Sequence, residues 1–575
     1  MRAVRALVHP DAVMIPCFPL QLRRPLSAGI VLITLLLSQR QVWAQCDPHW
    51  VYDIGQPGVD DRVFALTVFD DQLGGGPALY VGGFFLNAGG APANRIAKWD
   101  GSTWSTLGTG MNEAVIALLV WDDGQGGGPA LYAGGNFFIA GGQSAGRVAK
   151  WNGVSWTPVG TGMNGTVSCF CIYDDGLGGG PALYAGGQFS SAIGVPGTSR
   201  IAKWNGSAWS GVGGGTNDQV TKMIVFDDGS GPALWVAGYF SSAGGLPVGH
   251  IAKWNGVNWS AAGVLGPTAP EHTHTLAIFD DQSGAGPRLY AAGFFFTADG
   301  QTANHVARWN GTNWEPVGGG VAGEVVEFTI FDDRTGGGPA LYGSGFFTSA
   351  GGNSANSIAR WNGSVWTPLG SGLNDQTWAV ATFDDGSGRG TSLFAGGFAT
   401  TAGGQPSSRI AHWVGSGNPS FTQQPEDETV FVGQPITLSA GAIGAIPLSY
   451  QWRKDSQDLI DDGRITGATT PTLTIDPTQA GDGGDYDVVV TTTGCGAQSS
   501  AIAVRSIIVP GCPGDVNVDG HVNGTDITGF VNCALSGTGC ELTDLDDDGL
   551  TADLDLADDV SAFATRLVAV DSACL

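Results

Sequence analysis

Positively charged side chains are scarce in this sequence of 575 residues. Lysine and arginine together number 25, against 52 aspartates and glutamates, which gives a formal net charge of −27. Such a chain lacks the basic surface through which proteins bind nucleic acids and anionic membranes. We therefore expect no nucleic-acid partner.

Long hydrophobic runs are also absent, apart from one near the N-terminus. Arg23 and Arg24 precede an apolar run from Leu26 to Leu37, which Val42-Trp43-Ala44 follows. Basic, apolar and then small residues predict a secretory signal peptide over residues 1–44. The run is too short for a membrane span. We expect a secreted, extracellular or cell-surface protein with no membrane span after signal removal.

Cysteine is sparse through most of the chain. Export permits disulfides, and four cysteines near the C-terminus predict two local bridges whose connectivity stays open. Cys169 and Cys171 share one face of a strand and cannot easily bridge each other, so we expect buried thiols there. The four C-terminal cysteines are Cys512, Cys533, Cys540 and Cys574.

Glycine is abundant, with 94 residues, and it recurs in register with a repeated phrase. The phrase consists of an apolar residue, alanine, a basic residue or histidine, and tryptophan. Each repeat contains four strand-like runs, which predicts one four-stranded sheet per repeat. The phrase ends at Trp99, Trp151, Trp204, Trp254, Trp309, Trp361 and Trp413.

The seventh repeat lacks the last strand, while the mature N-terminus carries an unmatched one. Nothing like Trp104 follows Trp413, but Trp50 opens a segment similar to that around Trp104. We expect the N-terminal strand to complete the seventh sheet, since ring closure removes exposed sheet edges. The predicted fold over residues 45–417 is a seven-bladed β-propeller closed by this strand.

Paired glycines at the end of the second strand, followed by the tryptophan, resemble the kelch-type propeller repeat. Four repeats carry the pair, whereas repeats four, five and six read Ala237-Gly238, Ala292-Gly293 and Ser344-Gly345. The resemblance implies a fold but no function, because propellers carry many unrelated activities. The matching pairs are Gly82-Gly83, Gly134-Gly135, Gly186-Gly187 and Gly396-Gly397.

Turn chemistry predicts further details of each sheet. A two-residue turn at Asp100-Gly101 would place Ala97 opposite Trp104 and turn Lys98 towards solvent. An Asp-Asp pair ends the first strand of every repeat and is expected to cap the glycine-rich turn. Calcium binding and acid/base chemistry are the alternatives. The pairs begin at Asp70, Asp122, Asp174, Asp227, Asp280, Asp332 and Asp384.

Residues 418–508 resemble an immunoglobulin-like domain, which implies a β-sandwich. Trp452 lies on the candidate core strand, and a segment ending at Tyr486 resembles the corner motif of that family. Ala440 and Val488 occupy the places of the usual cysteine pair. The core is therefore held together by packing alone, or Cys495 forms a bridge with another cysteine.

Residues 509–575 contain two aspartate-rich loops, each followed by a short apolar pattern. Oxygen ligands at alternate positions with a glycine at position six are typical of calcium loops. The region resembles a dockerin, which implies a small α calcium-loop domain, calcium as cofactor and a cohesin-like or cell-surface protein partner. The candidate ligands of the first loop are Asp515, Asn517, Asp519, His521, Asn523 and Asp526, and those of the second loop are Asp544, Asp546 and Asp548. The second loop closes at Asp555 on a strict count of twelve residues, or at Asp558 or Asp559 with a short insertion.

Candidate binding residues of the repeat region lie where the repeats differ. Lys222 and Glu327 replace small residues in the first strand and could line the channel, or lie at solvated strand ends. Glu271, His272 and His274 could bind zinc, or form a polar loop. No residue stands out as catalytic.

The predicted function is that of a secreted or cell-surface binding or scaffold protein with the propeller as recognition head. A glycan is one candidate ligand. A carbohydrate-active enzyme carried by the dockerin-like tail and a structural surface-layer component are the alternatives.

Overall fold

The computed structural model describes residues 46–51, 54, 58–267, 270–431, 433–444, 447–492 and 504–509. Strands predominate, so the predicted mainly β class is confirmed. The only helical element in these ranges is a 3-10 turn at Ala480–Asp482. The predicted signal peptide, the C-terminal bridges and the α calcium-loop domain lie outside the described residues.

Each repeat forms one antiparallel sheet with four main strands, and the sixth sheet carries a short fifth strand. The sheets are numbered along the chain, and their strands are given from the inner to the outer one. Sheet 1 contains Val63–Phe69, Ala78–Gly83, Ile96–Trp99 and Trp104–Thr106; sheet 2 contains Val115–Trp121, Ala130–Gly135, Val148–Trp151 and Trp156–Pro158; sheet 3 contains Val167–Tyr173, Ala182–Gly187, Ile201–Trp204 and Trp209–Gly211. Sheet 4 contains Val220–Asp227, Pro232–Gly238, Ile251–Trp254 and Trp259–Ala261; sheet 5 contains His272–Phe279, Arg288–Phe294, Val306–Trp309 and Trp314–Pro316. Sheet 6 contains Val321–Phe331, Ala340–Ala350, Ile358–Trp361 and Trp366–Pro368; sheet 7 contains Thr377–Phe383, Ser392–Gly397, Ile410–Val414 and His49–Val51.

Short ribbons follow the second strands of the sheets. In sheet 6 the strand Asn353–Ser354 pairs with the extended second strand instead. The ribbons pair Asn87–Ala88 with Ala91–Pro92, Ile139–Ala140 with Gln143–Ser144, Ser242–Ala243 with Leu246–Pro247, Thr297–Ala298 with Gln301–Thr302, and Thr401–Ala402 with Gln405–Pro406.

Neighbouring sheets contact each other through side chains rather than through strand pairing. Each inner strand lies against the next, and the inner strand of sheet 7 also lies against that of sheet 1. Buried clusters occupy these junctions: Tyr80 and Val115 share one, and Val63 and Phe394 share another. The predicted closure into a seven-bladed β-propeller is corrected in this respect. Every sheet stays an open sheet, because no hydrogen-bonded ladder joins it to a neighbour.

The outer tryptophans link successive sheets by a repeated hydrogen bond. Each indole N–H donates to a backbone carbonyl just beyond the outer strand of the preceding sheet, which satisfies a polar group that burial would otherwise leave unpaired. The donor–acceptor distances are 3.4 Å for Trp104–Ile54, 3.0 Å for Trp156–Leu107, 3.0 Å for Trp209–Val159, 3.2 Å for Trp259–Val212, 2.7 Å for Trp314–Ala262, 3.4 Å for Trp366–Val317 and 2.9 Å for Trp50–Leu369.

The N-terminal strand lies where the repeat pattern predicted it. Trp50 is paired directly opposite Trp413, which confirms that this strand completes sheet 7. The two indole rings are 5.4 Å apart and meet edge to face, an arrangement that aromatic pairs prefer.

The predicted register of the outer hairpins is wrong by two residues. Trp99, not Ala97, lies opposite Trp104, and Ala97 lies opposite Thr106. The connection is a four-residue loop because the Asp100 carboxylate accepts the backbone N–H groups of Ser102 (2.8 Å) and Thr103 (2.7 Å). Such side-chain capping extends the turn.

The Asp-Asp pairs cap the glycine-rich turns, as predicted. Asp70 accepts the N–H of Gln72 at 2.8 Å, and Asp71 accepts that of Leu73 at 3.2 Å. The second oxygen of Asp71 also accepts hydrogen bonds from Lys98 (2.6 Å) and Tyr80 (3.1 Å). The expectation that Lys98 is solvated is therefore wrong, since the Asp71 carboxylate lies within its reach.

The same ion pair recurs in six sheets with either basic residue. The carboxylate always belongs to the second aspartate of the pair. The partners are Lys98–Asp71, Lys150–Asp123, Lys203–Asp175, Lys253–Asp228, Arg308–Asp281 and Arg360–Asp333.

The second strand of each sheet is buried on both faces because a neighbouring sheet covers each side. Ala78–Gly83 is buried along its whole length. At the equivalent strand of sheet 3, a methyl group on Gly186 would lie 2.6 Å from Val220 Cγ1 and 2.8 Å from Cys169 Sγ. Glycine is needed here because the next sheet approaches so closely.

Replacing Gly186 with alanine is expected to lower the free energy of unfolding by about 1–3 kcal/mol, the usual cost of overpacking. Gly179 provides a matched control in the same repeat, since no atom lies within 4 Å of a methyl group there. Chemical denaturation of both variants measures the difference. Equal stability of the two variants would show that the neighbouring side chains move aside at no cost in free energy.

The immunoglobulin-like region forms two packed sheets and a short strand pair. Trp452 is buried in its core together with Ala440 and Val488. The last two residues replace the usual cysteine pair, so this part of the core is packed without a bridge between them. The Tyr486 hydroxyl donates to the Asp482 carbonyl at 2.6 Å. One sheet orders Glu428–Phe431, Val504–Val509, Gly484–Thr492, Leu448–Lys454 and Gln457–Asp458; the other orders Ile436–Ser439, Thr472–Ile475 and Ile465–Thr466; Ser420–Gln423 pairs with Gly441–Ile443.

Candidate functional site: the axial cavity and the bulge end

Every inner strand contains a β-bulge near its beginning. In sheet 1 the register shifts between Val63 and Ala65, so Phe64 is the extra residue. Bulges redirect side chains and are common beside functional sites. We call this end of the seven sheets the bulge end. The bulge residues are Phe64, Ile116, Ser168, Thr221, His274, Val326 and Trp378.

A cavity of about 280 Å³ lies between the inner strands at the bulges. We call it the axial cavity. Residues of sheets 1, 2, 3, 4, 6 and 7 line it, and most of these residues are bulge residues or their immediate successors. Its lining includes Phe64, Ala65, Ile116, Ala117, Cys169, Lys222, Glu327, Trp378 and Ala379.

The structure brings Lys222 and Glu327 together at this cavity, although 105 residues separate them. Lys222 Nζ lies 2.6 Å and 2.8 Å from the two carboxylate oxygens of Glu327. The Thr275 hydroxyl, on the sheet between them, donates to Glu327 Oε1 at 3.3 Å. Both charged side chains are partly exposed, at 29% and 23%. One wall of the cavity is therefore charged but locally neutral.

Two thiols lie beside this wall. Cys169 and Cys171 are free cysteines. Cys169 is buried, as predicted, whereas Cys171 is only partly buried. Burial raises the pKa of the Cys169 thiol, and it raises the pKa of Cys171 to about 12, despite the opposing charge of Lys222. Both thiols stay protonated at neutral pH and are poor nucleophiles.

The predicted polar loop around His272 is instead the start of an inner strand, His272–Phe279. The prediction fails because this strand pairs further towards the bulge end, with His272 opposite Phe294. His272 Nε2 is 2.8 Å from Glu324 Oε1, and its ring stacks on Tyr239 at 3.9 Å. Glu271 accepts the backbone N–H of Phe296 at 3.1 Å.

The sequence analysis did not predict Glu324 as a site residue, although the repeat interval indicated its position. His272 and Glu324 are 52 residues apart, one repeat interval, so an alignment of the repeats places them at equivalent positions of neighbouring sheets. His274 Nδ1 lies 3.0 Å from the Val326 carbonyl oxygen. Burial lowers the pKa of His274 and keeps it neutral.

The zinc hypothesis for Glu271, His272 and His274 gains no geometric support. Within the described ranges, no group of three His, Cys, Asp or Glu side chains is arranged to hold a metal ion. The calcium-ligand candidates Asp515 to Asp526 and Asp544 to Asp559 lie outside the described residues, and they stay predictions from the sequence.

Aromatic side chains of sheets 1 and 7 cluster beside the axial cavity. The ring of Phe64 lies 5.8 Å from that of Trp378 and 6.2 Å from that of Phe398. The Arg62 guanidinium lies 4.6 Å from the ring centre of Phe84 and 5.4 Å from that of Phe398. We call these five residues the aromatic rim. Further large apolar side chains are exposed at the same end: Leu86, Phe138, Phe296 and Phe346.

The immunoglobulin-like domain contacts the other end of the sheets. Ile443 lies against Gly390, in the turn between the first two strands of sheet 7. The connecting segment is held by a hydrogen bond from the Ser416 N–H to the Asp333 carbonyl at 2.7 Å. This contact is therefore remote from the aromatic rim. In the part of the chain that the structure describes, no helix is long and apolar enough to cross a membrane.

Comparison with known proteins identifies the second region of the chain. Residues 419–505 match the family model of the immunoglobulin I-set domain. Neogenin from Mus musculus is 34% identical over 87 residues, which is 15% of this chain and 6% of that protein. Neogenin from Homo sapiens is 29% identical over 103 residues, which is 18% of this chain and 7% of that protein. The chain thus spans less than a tenth of these relatives.

Solved structures of titin domains match over the same share of the chain. The titin M3 domain is 26% identical, covers 16% of this chain and 97% of its own, and has a TM-score of 0.14. The complex of titin M10 with obscurin like 1 Ig is 25% identical, covers 16% of this chain and 97% of its own, and has a TM-score of 0.15.

These findings correct the family assignment made from the sequence. The family model and the neogenin match support the immunoglobulin-like module, whereas membership of the kelch-type propeller and dockerin families is not supported and is not retained. The glycine and tryptophan pattern has a local cause, since Gly186 allows close packing and the tryptophans bond neighbouring sheets. Residues 419–505 are thus similar to immunoglobulin domains of the I-set type, and they follow a region of seven sheets.

Proposed function

We propose that this chain is a secreted or cell-surface binding and scaffold protein that recognises its partner at the bulge end. One observation carries the proposal. The residues that hold the sheets together recur from repeat to repeat, whereas the bulge residues range from Ser168 to His274 and Trp378. Positions that only support packing face the same constraint in every sheet, so concentrated variation at one end indicates recognition.

The state of the polar groups favours binding over catalysis. Lys222 is paired with Glu327, His272 is paired with Glu324, and the thiol of Cys169 is protonated. General acids, bases and nucleophiles act through groups whose protonation is tuned to the reaction. Paired and neutralised groups instead suit the positioning of a ligand.

The composition of the aromatic rim favours a protein partner. Aromatic side chains and arginine are enriched at protein interfaces, and tryptophan and arginine dominate their binding energy. Exposed apolar side chains at the same end, such as Phe346 at 59% and Phe138 at 53%, extend this surface. The signal-like N-terminus and the immunoglobulin-like domain support an extracellular or cell-surface location.

Replacing Trp378 with alanine is expected to weaken partner binding at least tenfold, because a truncated aromatic anchor at an interface centre costs about 2 kcal/mol or more. The mature chain serves as bait against arrays of secreted and cell-surface proteins, with a glycan array in parallel. Val154, which is 70% exposed in the turn at the other end of sheet 2, gives the control variant Val154→Ala with unchanged binding.

Three outcomes contradict the proposal. They are absence of any partner on both arrays, binding to glycans alone, and equal partner binding by the Trp378→Ala and Val154→Ala variants. Circular dichroism of both variants establishes that each is folded before binding is compared.

A further inference from the structure

We propose that the axial cavity binds a small zwitterion, a molecule carrying one carboxylate and one ammonium group, by inserting it between Lys222 and Glu327. The inference concerns the cavity beneath the aromatic rim and does not depend on the identity of any macromolecular partner. It adds a ligand site of defined chemistry to the binding role.

The charged residues of the cavity are gathered on one side. The residue after each bulge is Ala65, Ala117 and Ala379 in sheets 1, 2 and 7. It is Cys169 in sheet 3 and Lys222, Thr275 and Glu327 in sheets 4, 5 and 6. Sheets 4 and 6 therefore supply the two charged groups of one wall, and Thr275 of sheet 5 bonds to Glu327. This wall faces the small apolar side chains of sheets 1, 2 and 7. This asymmetry within a repeated framework marks the wall as a specific feature.

The cavity has room for a ligand on that wall. Its volume of about 280 Å³ corresponds to roughly nine water molecules at about 30 Å³ each. Lys222 and Glu327 are exposed enough, at 29% and 23%, to be reached from the cavity. Phe64 and Trp378 line it as well, and they can cover the apolar part of a bound molecule.

Charge balance determines which ligand fits. A simple anion bound to Lys222 would leave Glu327 unpaired, and a simple cation bound to Glu327 would leave Lys222 unpaired, which is costly in a partly buried site. A zwitterion replaces one ion pair with two and keeps the site neutral. Hydrogen bonds between charged groups are about twice as strong as neutral ones. The Thr275 hydroxyl, 3.3 Å from Glu327 Oε1, would keep the carboxylate in place.

The wild-type chain alone allows a first test. Isothermal titration of the full mature protein uses glycine, β-alanine, γ-aminobutyrate and 5-aminovalerate, which differ in the separation of their charges. Acetate and methylammonium provide the single charges. We expect at least one zwitterion to bind at least tenfold more tightly than either single ion. If no zwitterion exceeds both ions, the proposal is overturned.

Variants then locate the site. Lys222→Met and Glu327→Gln are each expected to weaken zwitterion binding at least tenfold, and so is the double variant, which leaves no unpaired charge and is the safest to fold. Lys98→Met makes the same change in a paired lysine of sheet 1 and should leave binding unchanged. Undiminished binding by the double variant would place the ligand elsewhere and overturn the assignment.

Discussion

Replacing Trp50 with alanine is expected to lower the free energy of unfolding of the repeat region by about 3–5 kcal/mol, the range for truncating a buried aromatic residue. Trp50 is buried, packs edge to face against Trp413 and donates a hydrogen bond to the Leu369 carbonyl. One side chain thus links the N-terminal strand to sheet 7 and to sheet 6. Chemical denaturation followed by tryptophan fluorescence or circular dichroism measures the loss.

The neighbouring residue on the same strand provides the control for this experiment. His49 is only partly buried, so His49→Ala should change stability by less than about 1 kcal/mol, as is usual for a surface position. An unfolding midpoint of Trp50→Ala equal to that of the wild type would show that the N-terminal strand contributes little.

Acid is expected to destabilise the repeat region steeply below about pH 4. The pKa values of five aspartates are lowered: burial alone would raise them, but hydrogen bonds from basic side chains and turn N–H groups outweigh it. These residues are Asp71, Asp123, Asp175, Asp228 and Asp281. A carboxylate with a lowered pKa in the folded state stabilises the fold above its unfolded value of about 3.9. That stability is lost as the pH falls through the folded pKa.

Denaturation midpoints measured at several pH values between 7 and 2 test this expectation. Asp71→Asn removes the charge opposite Lys98 and should cost about 1–3 kcal/mol at pH 7. The difference from the wild type should shrink at acid pH, where the wild-type carboxylate is itself protonated. Asp70→Asn is the matched control, because Asp70 caps the same turn from an exposed position. A pH-independent difference for Asp71→Asn would contradict the ion-pair explanation.

Much of the fold was predictable because it follows from short segments that recur. The repeat interval and the strand signals gave one sheet per repeat, and the unmatched segment at Trp50 predicted the pairing with Trp413. The core of the immunoglobulin-like domain was likewise recognisable from Trp452 and the Tyr486 corner. These features depend on local periodicity and turn chemistry, which a single sequence displays directly.

Other predictions were wrong where a single side chain changed the length of a turn or the surroundings of a neighbouring residue. The loop at Asp100 was expected to hold two residues, but its carboxylate bonds extend it to four and shift the outer strand by two residues. Lys98 was expected to face solvent because it alternates with buried residues along its strand. This pattern does not show that the Asp71 carboxylate, at the end of another strand, lies within hydrogen-bond distance of Lys98. The family assigned to the repeats was wrong because paired glycines also arise wherever sheets pack closely.

Local composition thus determined the strands, their turns and the boundary at which the immunoglobulin-like sequence begins to be recognisable. The contents of the candidate site arose only in the assembled protein. Lys222 meets Glu327 across two repeats, His272 meets Glu324 across one, and the bulges turn Phe64 and Trp378 towards a common opening. Such contacts depend on how separate sheets pack. The repeat interval shows which positions of neighbouring sheets are equivalent, as for His272 and Glu324, but it does not show which of their side chains meet.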